Sequence, residues 1–266
     1  MRAVGKGRRG VNAAGSIAHT ASRWDRNGDG APRLTLLGGF ALYCGPRAPN
    51  PSLNSRRLIA YLALHDRPQS RSHVAGTLWP ESTEDRSHAS LRSALWRLNG
   101  TVPGLVRSIG GALVFNHSIE VDASRMASTA RMVMGGFFDS QRVGEIKELL
   151  AHDLLPEWDD EWVVVDRERL RQLRLHALES LAEQCTSRHR FGDAIEACLL
   201  AIGSEPLRES AHRTLIEAHL AEGNRASAMQ HYELYETLLR AELGLEPSAE
   251  VRGLVSRAIR LQRPTA

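Results

Sequence analysis

The spacing of apolar residues divides the chain into an N-terminal half with mixed patterns and a C-terminal half with a helical one. The segment LTLLGGFALYC, which starts at Leu34, alternates loosely between apolar and polar positions and precedes several prolines, so it predicts short β-strands. The segment VRSIGGALVF, which starts at Val106, holds two β-rich runs around a Gly-Gly pair, and this is typical of a hairpin. Helical spacing lies between these two segments.

Three helices are predicted there, because apolar residues recur every three to four positions. Each predicted helix has a polar residue that can cap its first turn and a Pro or Gly that stops it. Their predicted limits are Ser55 and Pro68, Ser70 and Pro80, and Ser82 and Gly100. Leu58 and Leu62 are expected to face inward on the first helix, and Val74 and Leu78 on the second.

The third predicted helix is the candidate recognition element. Leu91, Leu95 and Leu98 follow helical spacing, so we expect them to form its buried face. At 100° per residue, the other side of the helix carries Arg86, Ser90, Arg92, Ser93, Trp96 and Arg97. Such a face fits the DNA major groove, where one arginine can donate two hydrogen bonds to guanine, and the alternative is that the arginines form a solvated surface.

Trp96 has two interpretations at this position. Its indole can pack between the helix and the hairpin, which is the interpretation that we favour, or it can stack along the sugar–phosphate backbone of DNA.

Further candidate DNA contacts lie at a hairpin and at two helix starts. Arg107 and Ser108 precede the Gly-Gly turn, from which a hairpin reaches the minor groove or phosphates. Helix N-termini offer free backbone N–H groups to a phosphate, and arginines beside them add charge. The candidates at the first and second helices are Ser55, Arg56 and Arg57, and Arg71 and Ser72.

Strands before the three helices and a hairpin after them indicate a winged helix-turn-helix of the OmpR type. The predicted fold is therefore mainly α with an α+β N-terminal domain, in which the winged helix is followed by an all-α, tetratricopeptide-like domain. The predicted boundaries are 1–31 for a disordered basic tail, 32–122 for the DNA-binding domain and 123–266 for the helical domain.

The helical half shows a repeat of 34 residues, which is the tetratricopeptide period. The repeat places Ala194, Cys198 and Ala201 in register with residues of similar spacing further along, Ala228, Tyr232 and Tyr235. Gly223 marks the turn between helices in the second unit, and His189 holds the equivalent place in the first.

A long helix is expected to begin near Asp160 and to carry a stripe of basic residues. Arg167, Arg171 and Arg174 form this stripe, but acidic residues such as Glu168 lie close in sequence. We therefore interpret the stripe as intramolecular salt bridges and solvated surface rather than as a DNA contact.

Charge is distributed unevenly along the chain. Residues 1–31 and residues 32–122 each carry a net charge of +4, whereas residues 123–266 carry −5, which sums to the total of +3. The basic half can be attracted to phosphate and the acidic half is repelled by it.

Several functional classes lose support from the sequence. The three cysteines are far apart and form no CxxC pair, so we expect no disulfide framework, no metal site and a cytoplasmic location. No apolar run reaches membrane-span length.

His212 and His219 share a helix face and are interpreted as packed or surface residues. Phosphate-binding, nucleophile-elbow and zinc-protease motifs are absent, so we expect no catalytic residue, no cofactor and no enzyme activity.

Two long segments carry a family resemblance. The string LIAYLALHDRPQSRSHVAGTLWPESTEDRSHASLRSALWRLN resembles the DNA-binding domain of the Streptomyces antibiotic regulatory proteins (SARPs). The strings LLPEWDDEWVVVDRERLRQLRLHALESLAEQ and EPLRESAHRTLIEAHLAEGNRASAMQHYELYETLLRAELGLEPS resemble the bacterial transcriptional activator domain that follows it in that family. The resemblance covers about residues 33–260 and is closest to the small SARPs. Asn99 departs from it, since family members commonly carry Arg there.

The resemblance implies a transcription activator of a specialised-metabolite gene cluster, such as one for an antibiotic. Its implied partners are double-stranded promoter DNA, bound at direct repeats near −35 elements, and RNA polymerase including its sigma factor. It also implies a homodimer on DNA and a cytoplasmic, nucleoid-associated location. Two alternatives stay open: a tetratricopeptide-like adaptor that has lost DNA binding, and a repressor of the same architecture.

Overall fold

A computed structural model describes residues 32–44 and 48–260, with side chains to residue 257. The predicted basic tail of residues 1–31 lies outside the described residues. The strands and helices follow in the order β1 (Arg33–Thr35), β2 (Ala41–Tyr43), α1 (Leu53–Leu64), α2 (Arg71–Leu78), α3 (Glu84–Thr101), β3 (Val106–Ile109), β4 (Ala112–Phe115), β5 (Glu120–Val121), α4 (Asp122–Met134), α5 (Val143–Leu149), α6 (Glu161–Ser187), α7 (Phe191–Ser204), α8 (Glu209–Glu222), α9 (Arg225–Leu243) and α10 (Ala249–Arg260).

The N-terminal strands form a small sheet in the order β2-β1-β5. β1 pairs antiparallel with β2, with Leu34 opposite Leu42, and parallel with β5, with Leu34 opposite Val121. Asp122 begins α4 and accepts hydrogen bonds from the backbone N–H groups of Leu36 (2.8 Å) and Leu37 (3.1 Å). Burial raises the pKa of the Asp122 carboxyl to about 6 although these donors oppose the shift. β5 itself was not predicted, because two residues are too few for a strand pattern.

The predicted sequence of strands, three helices and hairpin is confirmed, and with it the mainly α fold with an α+β N-terminal part. Two helix starts were predicted wrongly. α1 begins at Leu53 with Ser52 at its N-cap, not at Ser55, and α3 has Thr83 at its N-cap rather than Ser82. The prediction that Ser70 caps α2 is correct, since its hydroxyl accepts from the His73 N–H at 3.2 Å.

The buried face of α3 differs in part from the prediction. Leu91 and Leu98 are buried as expected, but Leu95 is only half-buried, and Ser87 and Ala94 complete the buried face. The small Ala94 lets α3 approach α1, where the Ser55 hydroxyl donates to its carbonyl at 3.4 Å. The predicted stop at Gly100 is wrong, because α3 continues through it to Thr101.

The helical half contains the predicted long helix and the predicted repeat. α6 begins one residue after Asp160, and α7 and α9 begin 34 residues apart, at Phe191 and Arg225. Gly223 ends α8 with φ 87°, and His189 precedes α7 with φ 57°. Both residues therefore have left-handed backbone conformations at equivalent points of the repeat, which explains why histidine can stand where the second unit has glycine.

The two halves share one hydrophobic core, which runs from Leu34 to Ala218. α1 lies at their junction. Its Tyr61 ring meets the Trp162 ring of α6 edge-on at 5.3 Å between centroids, and Arg57 forms an ion pair with Asp160. α1 therefore contacts α3, the candidate recognition helix, on one side and the start of α6 on the other, and so links the two halves.

Candidate nucleic-acid interface

The outer face of α3 projects into solvent over most of its length. Five of the six residues predicted to face DNA on this helix are exposed: Arg86, Arg92, Ser93, Trp96 and Arg97. Ser90, the sixth, is half-buried at one flank. Because Leu91 and Leu98 anchor the opposite face in the core, the orientation of the exposed side chains is fixed by packing.

The three arginines of α3 carry positive charge that no other described residue neutralises. Arg86, Arg92 and Arg97 form no ion pair and their side chains form no hydrogen bond within residues 32–44 and 48–260. The acidic residues of α3, Glu84 and Asp85, lie in its first turn, where the helix dipole favours negative charge. The arginines therefore remain available to an external anion.

Trp96 does not pack as predicted. Its side chain is 78% exposed, and it stacks on no aromatic ring of the described residues. The favoured interpretation, packing between helix and hairpin, is therefore wrong. The reason is its angular position, since Trp96 lies close to the point on α3 opposite the buried leucines.

The β3–β4 hairpin forms the wing. Gly110 and Gly111 adopt φ values of 58° and 85°, which a tight two-residue turn requires. The hairpin is held against the segment before α2 by Gln69, whose backbone exchanges hydrogen bonds of 2.8 and 2.9 Å with Leu113. Arg107 and Ser108 are exposed, as a contact with DNA would need.

The predicted phosphate contact at the start of α1 is largely wrong. Ser55 is 1% exposed, and its hydroxyl lies against Ser52 and α3, so it cannot reach a phosphate. Arg56 is half-buried and donates through Nε to the Pro51 carbonyl at 3.0 Å. Arg57 is held by Asp160. The sequence did not reveal the partner of Arg57, because Asp160 lies 103 residues away.

The residues at the start of α2 agree better with the predicted phosphate contact than those at the start of α1. Ser70 caps the helix, Arg71 is half-buried with no ion pair to another described residue, and Ser72 is exposed. Sequence reasoning also missed two exposed apolar residues near the interface, Leu53 and Ile109. The exposure of Ile109 could have been predicted from its position directly before the Gly-Gly turn, because residues beside a hairpin turn lie at its tip.

The basic stripe of α6 is bound within the protein, as predicted. Arg167 donates to the carbonyls of Leu154 and Trp158, each at 2.7 Å. Arg171 pairs with Glu168 at 2.8 Å. The prediction of a solvated surface is wrong for Arg174, which is 2% exposed and pairs with Asp153 at 2.6 Å. Burial lowers the pKa of the Arg174 guanidinium.

His212 is buried and contacts His231 rather than His219. The rings of His212 and His231 lie parallel, with His212 Nδ1 and His231 Nε2 2.9 Å apart, and His212 Nε2 lies 2.8 Å from the Pro206 carbonyl. Burial lowers the pKa of both histidines, to about 4 for His231. In the chain as far as it is described, no group of three or more His, Cys, Asp or Glu side chains could hold a metal ion. No described helix has the length and apolarity needed to cross a bilayer.

Comparison with known proteins relates the C-terminal half of the chain to a known domain family. Residues 142–260 match the bacterial transcriptional activator domain. Over 251 residues the chain is 24% identical to the regulatory protein AfsR of Streptomyces griseus, an alignment that covers 89% of this chain and 25% of AfsR. The chain thus spans about a quarter of that relative's length.

The fold is also similar to that of a solved structure, Mycobacterium tuberculosis EmbR in complex with a low-affinity phosphopeptide. The TM-score is 0.66 at 19% identity, and the match covers 89% of this chain and 67% of the other. The fold likeness and the AfsR alignment each extend beyond the activator domain into the winged-helix half. AfsR is a regulatory protein, and the matched domain is a transcriptional activator domain. Together these likenesses support a regulator of the SARP type, as the resemblance of the sequence implied.

Proposed function

We propose that the protein is a sequence-specific DNA-binding transcription activator, with residues 32–122 as its DNA-binding domain and residues 123–266 as its activator domain. The observation that carries the proposal is the outer face of α3, where Arg86, Arg92 and Arg97 are exposed and unpaired among the described residues. Leaving three cations without partners on a well-packed helix is expected where an external polyanion supplies the counter-charges.

α3 would enter the major groove with this face toward the base edges. Arginines there can grip guanine with two hydrogen bonds, and Ser90 and Ser93 can donate to bases or phosphates. Arg107 and Ser108 of the wing would contact the adjacent minor groove or its phosphates. Arg71 lies at the start of α2, which would face the DNA backbone.

The helical half would handle protein partners. Its net charge of −5 opposes DNA binding, and its tetratricopeptide-like repeat offers surfaces for protein contacts. By analogy with the family, the partners are RNA polymerase with its sigma factor and a second copy of this chain, on direct repeats near a −35 element. The family also supports a cytoplasmic protein that acts on a specialised-metabolite cluster.

Gel-shift binding to the promoters beside the protein's own gene tests DNA reading. We expect a salt-sensitive shift that a scrambled competitor does not remove. Arg92→Ala should weaken specific binding by roughly 1–3 kcal/mol. The matched control is Arg169→Ala, which removes an exposed arginine of α6. Absence of any sequence-dependent shift would refute DNA reading and favour the adaptor alternative.

Transcription from a linear template with purified polymerase tests the direction of regulation. An activator raises the amount of transcript from the bound promoter, and Arg92→Ala should reduce that rise in proportion to lost occupancy. A fall in transcript on adding the protein would identify a repressor of the same architecture.

A further inference from the structure

Trp96 stands out on α3 because it is the largest exposed apolar side chain on that helix. It borders a shallow pocket at the C-terminal end of α3, which we call the Trp96 pocket. The pocket is lined by Ser52, Trp96, Arg97, Asn99, Gly100 and Thr101. Ser52 comes from the N-cap of α1, so the pocket lies where two elements of the winged helix meet.

The lining of the Trp96 pocket combines one apolar surface with hydrogen-bond donors and a cation. The Thr101 hydroxyl is used within the helix, donating to the Arg97 carbonyl at 2.9 Å. The Asn99 amide and the Arg97 guanidinium form no hydrogen bond with another described side chain. The pocket is lined by no acidic residue. This chemistry is complementary to a negatively charged ligand that also has an apolar ring.

The length of α3 places this pocket away from the base edges. α3 has 18 residues, and Trp96 lies ten residues beyond Arg86, which is about 15 Å along the axis at the rise of an α-helix. The major groove is only about 12 Å wide. If the first turns of α3 lie at the base edges, the end that carries Trp96 reaches the strand that borders the groove.

We propose that the Trp96 pocket binds the sugar–phosphate backbone of DNA, with the Trp96 indole against a deoxyribose and Asn99 and Arg97 beside the adjoining phosphate. This inference rests on the proposed function and adds a division of labour within α3. The N-terminal part of its outer face reads bases, whereas Trp96 contributes affinity that does not depend on base sequence.

An apolar contact with the backbone has a distinct signature in binding experiments. Removing the indole lowers affinity for every DNA sequence by the same factor, since every nucleotide carries the same sugar. It leaves the slope of log K against log salt unchanged, because no cation is removed and no additional counterion stays bound. Removing a base-reading residue would instead lower affinity for the specific site more than for a scrambled one.

The test measures wild type, Trp96→Ala and Trp96→Phe on a bound promoter fragment and on a scrambled fragment, at several salt concentrations. We expect Trp96→Ala to bind both fragments roughly tenfold more weakly with parallel salt slopes. Trp96→Phe, which retains a ring, should lose less. Phe137→Ala is the matched control, since Phe137 is 74% exposed and lies after α4, and its binding should equal that of wild type.

Each outcome separates the two proposals. A loss of affinity confined to the promoter fragment would show that Trp96 contacts bases. Unchanged affinity for both fragments would show that Trp96 does not contact DNA. Either result overturns this inference alone. Failure of the wild type to bind any promoter would overturn the proposed function itself. Because Trp96 is exposed, thermal unfolding of Trp96→Ala should match wild type, which excludes a loss of folded protein as the cause.

Discussion

Helix α3 carries three arginines and helix α6 carries four, yet the surroundings of the two sets are opposite. On α3 the acidic residues are confined to the first turn, and the guanidinium groups form no ion pair with any other described residue. On α6, Asp166 and Glu168 lie within one turn of arginines, and Asp153 and Glu205 reach the helix from packed segments. The placement of acids, rather than the number of arginines, therefore determines which of the two helices keeps guanidinium groups without an ion pair among the described residues.

The largest expected effect comes from removing an arginine whose charge is used by the fold. Arg174→Ala should lower the free energy of unfolding by about 3 kcal/mol, because it empties a buried volume and leaves Asp153 without its partner. Urea unfolding followed by circular dichroism measures this loss. DNA affinity of the protein that remains folded should be unchanged.

The matched control for Arg174 is Arg169 on the same helix. Arg169 is 57% exposed and pairs with Asp166 at 3.2 Å, so Arg169→Ala should cost less than about 1 kcal/mol of stability. Equal losses for the two variants would mean that burial does not distinguish these ion pairs.

The next largest effect is expected on α3, where removing an arginine should reduce DNA affinity rather than stability. Arg92→Ala on α3 should weaken binding to the specific promoter by roughly 1–3 kcal/mol and change the free energy of unfolding by less than about 0.5 kcal/mol. Arg171→Ala on α6 should do the opposite, losing part of its pairing with Glu168 and keeping wild-type DNA affinity. Titration of labelled promoter DNA measures the affinity of both variants, and urea unfolding measures their stability. If either variant lost both promoter affinity and stability, the contrast between α3 and α6 would be wrong.

The fold could be predicted from local patterns where the signal was short-range. The Gly-Gly turn of the wing, the Ser70 cap and the 34-residue repeat each depend on neighbouring residues, and the structure contains all three. The extent of α3 was less predictable. Gly100 was taken as its end because glycine weakens helices, but the helix continues one residue further, to Thr101, beyond the buried Leu98.

The candidate site was predictable as a helix face but not in its details. The angle of 100° per residue identified which arginines of α3 are exposed, because it follows from helix geometry alone. Ser55 and Arg57 were assigned to DNA because they lie near the predicted start of the first helix, and no acidic residue lies close to them in sequence. Their actual partners are the Ala94 carbonyl and Asp160, which only the tertiary fold brings close. Trp96 was misjudged because a large aromatic residue is more often packed than exposed.

The smallest expected effect concerns the buried pair His212 and His231 in the helical half, whose hydrogen bonds require both rings to be neutral. His212 donates through Nε2–H to the Pro206 carbonyl, so its Nδ1 must accept from His231 Nε2–H while both rings are neutral. Protonating His212 at Nδ1 would place two N–H groups against each other. Burial lowers the pKa of both histidines in the folded state, and for His231 the electrostatic effect of His212, followed by that of His219, lowers it further.

Because the folded-state pKa is below that of the unfolded chain, the pair has no effect on stability above pH 6.5, and stability falls as the pH drops below it. Between pH 7 and pH 5 we expect His231 to reduce the free energy of unfolding by about 1 kcal/mol, allowing for its partial exposure to solvent. Urea unfolding at the two pH values measures this change. His231→Gln, whose amide can still donate to His212, should flatten the pH dependence, whereas the matched His176→Gln, at an exposed position, should not. If His231→Gln retained the full wild-type pH dependence, the titrating group would lie elsewhere, and the contact between α8 and α9 would not depend on a neutral histidine pair.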